Sequence, residues 1–248
     1  MEQELLRRAE DLADRCERAC ILTGTAFLTP AEQASLSAWA RSRPDVTMLL
    51  RGGCPDCERR AAFFLPDYLS EADVPDEEHF RALRITAGFG QPGHRDYLGA
   101  ILALGIRRDF LGDLYVEDDR ATLLCLPSVA THLLGSLDHV GRYGVRTEAI
   151  PLDAVHPPAR RTKAVSFTVQ SLRLDAAAAG LFRLSRAAAA DLIRAGAVTL
   201  NYLPCEKVDA PVRPGDIISI RGHGKAALTE AGGESRKGRI FLRGELYL

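Results

Sequence analysis

Ser171-Leu172-Arg173-Leu174-Asp175, followed by Leu184-Ser185-Arg186 and by Pro214-Gly215-Asp216-Ile217-Ile218-Ser219-Ile220-Arg221, decides how the C-terminal third of this chain folds. Leu172 to Phe182 reads as a short helix. Ser185 can cap a second one, whose apolar face is Ala188, Leu192, Ile193 and Ala195. Gly196 supplies the left-handed residue that ends it, and Val198-Thr199-Leu200 begins a strand. Pro214-Gly215-Asp216 is a turn, with Ile217 to Arg221 the returning strand. The spacing predicts two short helices on a small sheet.

The charges on this unit fall at particular places. Arg173 opens the first helix, with Asp175 placed to orient it. Ser185 and Arg186 open the second, where backbone N–H groups and the helix dipole favour a phosphate. Asn201 leaves the first strand, and Arg221 and Lys225 follow the last. Singly, each is better explained as a surface arginine or a cap. Jointly, in this order and on one face of a small module, they point to a polyanion.

The formal net charge of the 248 residues is only -1, but it sums unlike parts. Residues 1–159 carry 17 Lys and Arg against 25 Asp and Glu, a net of -8; residues 160–248 carry 15 against 8, a net of +7. A basic C-terminal segment on an acidic body is the electrostatic footprint of a polyanion-binding protein. No apolar run is long enough to span a membrane, and the charged, helix-like start is no secretory signal. Six scattered cysteines in a chain with an ordinary core fit a reducing cytoplasm. The expectation is a cytoplasmic protein with no membrane partner.

Nearer the N-terminus, apolar residues at Leu5, Leu6, Ala9, Leu12, Ala13, Cys16, Ala19 and Cys20 mark an amphipathic helix. Thr29-Pro30-Ala31-Glu32 is a helix start with a capping box, running to about Arg41. Val46 to Leu50 is a short buried strand. Then come a strand at Arg81–Thr86, a helix at Asp96–Gly105, strands at Asp113–Glu117 and Ala121–Leu126, a helix at Ser128–Val140 and a strand at Val145–Leu152. That β-α-β-β-α-β order is the ferredoxin-like split βαβ, which RNA-recognition domains also use. The fold class is therefore α+β. The expected domains are a mainly helical region at 1–78, a ferredoxin- or RRM-like domain at 79–154, a Pro-rich basic linker at 155–164, and a helix-turn-helix with a small sheet and a basic tail at 165–248.

The stretch Leu172 to Arg221 resembles the S4 domain of ribosomal protein S4, tyrosyl-tRNA synthetases and many pseudouridine synthases. The likeness extends further. Phe27–Gln33 (FLTPAEQ), Gly52–Arg60 (GGCPDCERR), His94–Ala100 (HRDYLGA), Phe110–Asp113 (FLGD), Gly222–Lys225 (GHGK) and Ser235–Ile240 (SRKGRI) resemble the YlmH family of bacterial and plastid S4 proteins, in the family's order. The resemblance implies RNA binding tied to the ribosome: rRNA of the large ribosomal subunit and tRNA, in translation or the rescue of stalled nascent chains. A link to cell division is also implied. The RNA-contacting residues expected on this basis are Arg173, Ser185, Arg186, Asn201, Lys207, Arg221 and Lys225, with Arg236, Lys237 and Arg239 in the tail and Arg95 in the HRD block.

Other features invite chemistry and are better read as packing. Cys54-Pro55-Asp56-Cys57, where the chain departs from the family pattern, has zinc-knuckle spacing; Cys16 and Cys20, the only obvious second pair, sit on an apolar helix face. His94-Arg95-Asp96 lacks the Asn and the glycine loop of a kinase, so Asp96 reads as a helix cap. His79, His132, His139 and His156 have no partner at ligand spacing. No metal or cofactor is expected. The leading expectation is a monomeric, non-catalytic RNA binder. The competitor is an RNA-modifying enzyme, synthase- or methyltransferase-like, steered by the S4 module. Against it, residues 1–159 are short for such a catalytic domain and lack a cofactor-binding glycine loop. A protein-interaction adaptor using the acidic half is compatible with the first.

Overall fold

The computed structural model describes residues 2–159, 161–234 and 238–248. The chain divides into two compact units, residues 1–158 and 159–248.

The first unit opens with α1 (Glu2–Ala19), β1 (Thr23–Gly24), α2 (Pro30–Arg41), β2 (Thr47–Arg51) and β3 (Ala61–Leu65). The start of α2 is the capping box expected from its sequence: the Thr29 N–H donates to Glu32 Oε2 at 2.7 Å, and the Glu32 N–H donates to Thr29 Oγ1 at 3.3 Å. The three strands form an antiparallel sheet in the order β1-β3-β2. Strand β3, which the sequence reading misses, is buried at all five positions. Ala62 and Phe64 pack on Ala9, Cys16 and Leu36, while Ala61, Phe63 and Leu65 face a second cluster. A strand covered on both faces shows no polar alternation.

After α3 (Asp76–His79) come β4 (Arg81–Ala87), α4 (His94–Ala103), β5 (Leu111–Glu117), β6 (Arg120–Cys125), α5 (Pro127–Ser136), β7 (His139–Val140) and β8 (Tyr143–Ile150). The sheet order is β5-β6-β4-β8-β7, all antiparallel. Without the short β7, this is the ferredoxin-like arrangement. Leu83, Ile85 and Leu123 meet Tyr97, Ile101 and Leu133 of α4 and α5 on one face. On the other face Ala82 and Leu124 join Phe27, Phe63 and Phe80, so the core runs on across residue 78. The helix expected to reach Val140 ends at Ser136: Leu137 turns extended, and His139–Val140 pairs with Tyr143–Gly144 around Gly141, whose φ is +60°.

The second unit contains β9 (Thr162–Val169), α6 (Leu174–Phe182), α7 (Arg186–Arg194), β10 (Val198–Leu200), β11 (Leu203–Pro204), β12 (Ile217–Ile220), β13 (Gly224–Glu234) and β14 (Ile240–Tyr247). They form a six-stranded sheet, β11-β10-β12-β13-β14-β9, with both helices on one face. The sheet is larger than the sequence reading allows. The end of the expected linker is the start of β9, and the expected tail is the hairpin β13–β14. Close approach needs two glycines: a Cβ on Gly180 would lie 2.1 Å from the Phe167 ring, and one on Gly244 would lie 2.4 Å from Leu181.

Candidate nucleic-acid interface

A buried charged site of the second unit centres on Asp175. This carboxylate is 4% exposed, in the first turn of α6. Arg173 Nε donates to its Oδ1 at 3.1 Å, and Arg186 Nε donates to its Oδ2 at 2.9 Å. A second Arg173 nitrogen, Nη2, lies 3.3 Å from Oδ2. One buried anion thus holds two guanidiniums, one at the start of each helix. Burial would raise the Asp175 carboxyl, but the hydrogen bonds from Arg173 and then Arg186 outweigh it and hold the group below its usual range. The same Asp175 bond pushes Arg173 up.

The local chain explains the geometry. The turn between the helices is short because Arg183 takes a left-handed conformation, φ 55° and ψ 41°, and ends α6. Ser185 then caps α7, its Oγ accepting the Ala188 N–H at 3.1 Å. Its hydroxyl is thus engaged in the cap, while the N–H groups of Arg186 and Ala187 have no intrahelical acceptor by position. The start of α6 is closed in a different way. Leu174 N–H donates to Ala210 O at 2.8 Å and Asp175 N–H donates to Val208 O at 3.1 Å. Those bonds dock the loop after β11 beside Arg173, with the exposed Lys207 at its beginning. Arg173, Ser185, Arg186 and the Lys207 loop are therefore brought together.

The remaining expected residues lie elsewhere. Asn201, left-handed at φ 50°, is built into a turn: its Nδ2 donates to Asp216 Oδ1 at 2.9 Å and its Oδ1 accepts the Ile217 N–H at 2.9 Å. Lys225 is in β13, beside Ala226, which packs under the helices; alternation puts Lys225 on the opposite, helix-free face. There its Nζ lies 5.0 Å from the Tyr247 ring centroid and 5.7 Å from that of Tyr202. Arg173 and Lys225 thus do not share a face, contrary to the expectation of a single surface. The two tyrosines are the residues that sequence reasoning missed. Tyr247 is Lys225's neighbour only through the β13–β14 register, which the sequence does not display. Arg221 is exposed after β12. Arg239 donates from Nη2 to Thr168 O at 2.7 Å. Arg236 and Lys237 fall outside the described residues. Arg95 is exposed on α4, in the first unit.

Cys54 and Cys57, expected as ordinary packing thiols, are joined by a disulfide with Cα atoms 5.8 Å apart. Cys16 and Cys125 are buried free thiols, and burial pushes Cys125 up to about 12. Among the described residues no three His, Cys, Asp or Glu side chains gather as metal ligands. Asp96 Oδ2 accepts the Gly93 N–H at 2.8 Å, the capping role read from its position. No helix among the described residues is long and apolar enough to cross a membrane.

A helix pair opening on two fixed arginines, backed by an antiparallel sheet, is the arrangement expected of an S4 module, and the family model "S4 domain" matches residues 172–218. A second model, "Putative RNA-binding domain in YlmH", matches residues 77–154. The Bacillus subtilis (strain 168) protein called ribosome-associated protein quality control protein P2 is 32% identical over 213 residues, covering 86% of this chain and 82% of that protein. The chain belongs to the YlmH family. Among solved structures, the cell division protein ylmH from Streptococcus pneumoniae superposes with a TM-score of 0.55 at 19% identity, covering 62% of this chain and 94% of that one, a likeness of fold. In this YlmH protein, both family models fall on segments with the expected α+β architecture.

Proposed function

We propose that this YlmH protein is a non-catalytic RNA-binding protein that grips structured rRNA or tRNA on the large ribosomal subunit, in ribosome-associated quality control. The observation that carries the reading is the Asp175 clamp. A buried carboxylate that fixes two arginines at neighbouring helix starts stabilises a cationic geometry before any ligand arrives. Fixed guanidinium forks suit phosphate oxygens, and less side-chain freedom is lost on binding. The name of the 32% identical relative supports the ribosomal setting. Phosphate contacts from α6, α7 and the Lys207 loop would recognise the shape of the RNA more than its sequence. The protein acts as a cytoplasmic monomer in this reading.

The test is sedimentation of the tagged full chain from lysate through a sucrose gradient at low and moderate salt. It is expected to co-migrate with large subunits at low salt and to leave them as salt rises, since counterion release makes phosphate-mediated binding salt-dependent. Nuclease treatment should release it as well. Co-migration that survives nuclease would point instead to a protein-interaction adaptor, and a chain that stays at the top at both salts would refute the ribosomal reading.

A further inference from the structure

The first unit holds a cavity of about 310 Å³ that the S4 reading leaves without a role, lined by Pro30, Glu58, Arg59, His94, Arg108 and Asp113, with Leu114 and Tyr115 beside them. All four N-terminal stretches that carry the family resemblance contribute to it: Pro30 from FLTPAEQ, Glu58 and Arg59 from GGCPDCERR, His94 from HRDYLGA and Asp113 from FLGD.

Its cations are held as deliberately as those on α6 and α7. Arg59 donates from Nε to Leu111 O at 3.0 Å and from Nη2 to Phe27 O at 3.1 Å. Arg108 Nη1 donates to the same Leu111 carbonyl at 2.7 Å and to Gly112 O at 3.1 Å. Two guanidiniums that share one carbonyl are close neighbours. Burial lowers both, and the charge of Arg59 lowers Arg108 further. Carboxylates oppose this charge: Asp113, 8% exposed, accepts the Glu58 N–H at 2.6 Å, the Arg59 N–H at 3.1 Å and the Tyr115 hydroxyl at 2.9 Å; Glu58 lines the cavity; and Glu32, Asp113 and Asp109 raise Arg59 against its burial. Arg59 Nη1 and Arg108 Nη2 make no hydrogen bond among the described residues. His94 opens α4 at the rim, adding an imidazole at a helix start. Adjacent guanidinium N–H donors on one cavity wall suit the oxygens of an oxyanion. The volume is at the small end for a ligand pocket, enough for a phosphate with part of a nucleoside and too small for an RNA helix.

We infer that this cavity is a second site, distinct from the S4 surface, which binds a terminal phosphate carried on an RNA end or on a mononucleotide. Arg59 and Arg108 take the phosphate oxygens, with His94 as a third donor.

The experiment uses the full chain carrying Arg173→Gln and Arg186→Gln, so that binding at the helix pair is reduced. A tetraribonucleotide with a 5′ phosphate, its 5′-hydroxyl counterpart and cytidine monophosphate are titrated by calorimetry, and the His94 imidazole is followed by NMR. The phosphorylated oligonucleotide is expected to bind at least about tenfold more tightly than the 5′-hydroxyl form, with a saturable shift of the His94 signals. Equal or tighter binding of the mononucleotide supports the site and assigns the free nucleotide as the source. Arg108→Gln should lose at least about tenfold in affinity. Because Arg108 also holds two backbone carbonyls, a thermal melt must show the variant folded. His94→Ala, which removes a side chain with no hydrogen bond or ion pair among the described residues, should weaken binding a fewfold and keeps the test valid if Arg108→Gln does not fold. No preference for the 5′ phosphate, or binding unmoved by His94→Ala and by a folded Arg108→Gln, would overturn the inference.

Discussion

Asp175→Ala is expected to weaken RNA binding about threefold to tenfold, although it removes a negative charge from a surface proposed to bind an anion. If net charge alone governed affinity, the variant would bind more tightly. The opposite sign follows from the geometry. Asp175 is buried and holds Arg173 and Arg186 from different helices. Without it each guanidinium regains freedom that must be given up again on binding, about 0.5–1.5 kcal/mol per side chain. The removed charge returns part of that, and the balance still favours the wild type. Stability should fall too, by about 1–2 kcal/mol in urea unfolding at neutral pH. The loss stays below that of a fully buried pair because the stranded arginines are partly exposed and can take up water. The pH dependence has a definite sign. The folded carboxyl lies below its unfolded value, so its contribution is complete above the unfolded pKa and fades as pH falls through the folded one. The stability gap between wild type and Asp175→Ala should therefore close in acid, and a gap that widened there would contradict the clamp.

The second large effect is expected from Arg173→Gln combined with Arg186→Gln: RNA affinity lower on the order of ten- to a hundredfold at moderate salt, with a shallower salt dependence. Neutralising one phosphate-binding arginine should reduce the slope of log K against log salt by roughly 0.7–0.9, so neutralising both reduces it by roughly 1.4–1.8. Glutamine is the informative replacement. Alanine at both positions would strand Asp175 without a counter-charge, and a buried ion left that way costs about 3–5 kcal/mol. A failure to bind could then mean a failure to fold. The glutamine amide keeps a donor near the carboxylate while removing the positive charge. Fluorescence anisotropy across a salt series measures affinity and slope together. An unchanged slope would mean that neither arginine meets a phosphate.

Much of this architecture is legible in the sequence, and the failures have physical causes. The capping box at Thr29 and Glu32, the cap at Ser185 and the β-α-β-β-α-β order are local signals, carried by residues three or four apart or by a single periodicity. Asp175 can be assigned to Arg173 because they lie two positions apart at a helix start. Its bond to Arg186 depends on how α6 and α7 pack, which no spacing encodes. Strand β3 is hidden by burial on both faces. Strand β9 is hidden because the Pro-rich, basic run before it masks the alternation of Val165, Phe167 and Val169, of which Val169 lies in the core and Phe167 against it. By sequence Lys225 simply follows a strand, and only the hairpin register shows it between Tyr202 and Tyr247. The first unit's cavity is out of reach for the same reason: its lining comes from stretches as far apart as Pro30 and Tyr115.

Whether the Asp175-centred helix pair is the RNA-gripping surface is decided by ultraviolet crosslinking of the purified full chain to large-subunit ribosomal RNA, with the crosslinked peptides identified by mass spectrometry. Crosslinks should concentrate in residues 172–187 and in the Lys207 loop, and diminish when Arg173 and Arg186 are both replaced by glutamine. Crosslinks confined to other segments, and unaffected by that pair of substitutions, would contradict it.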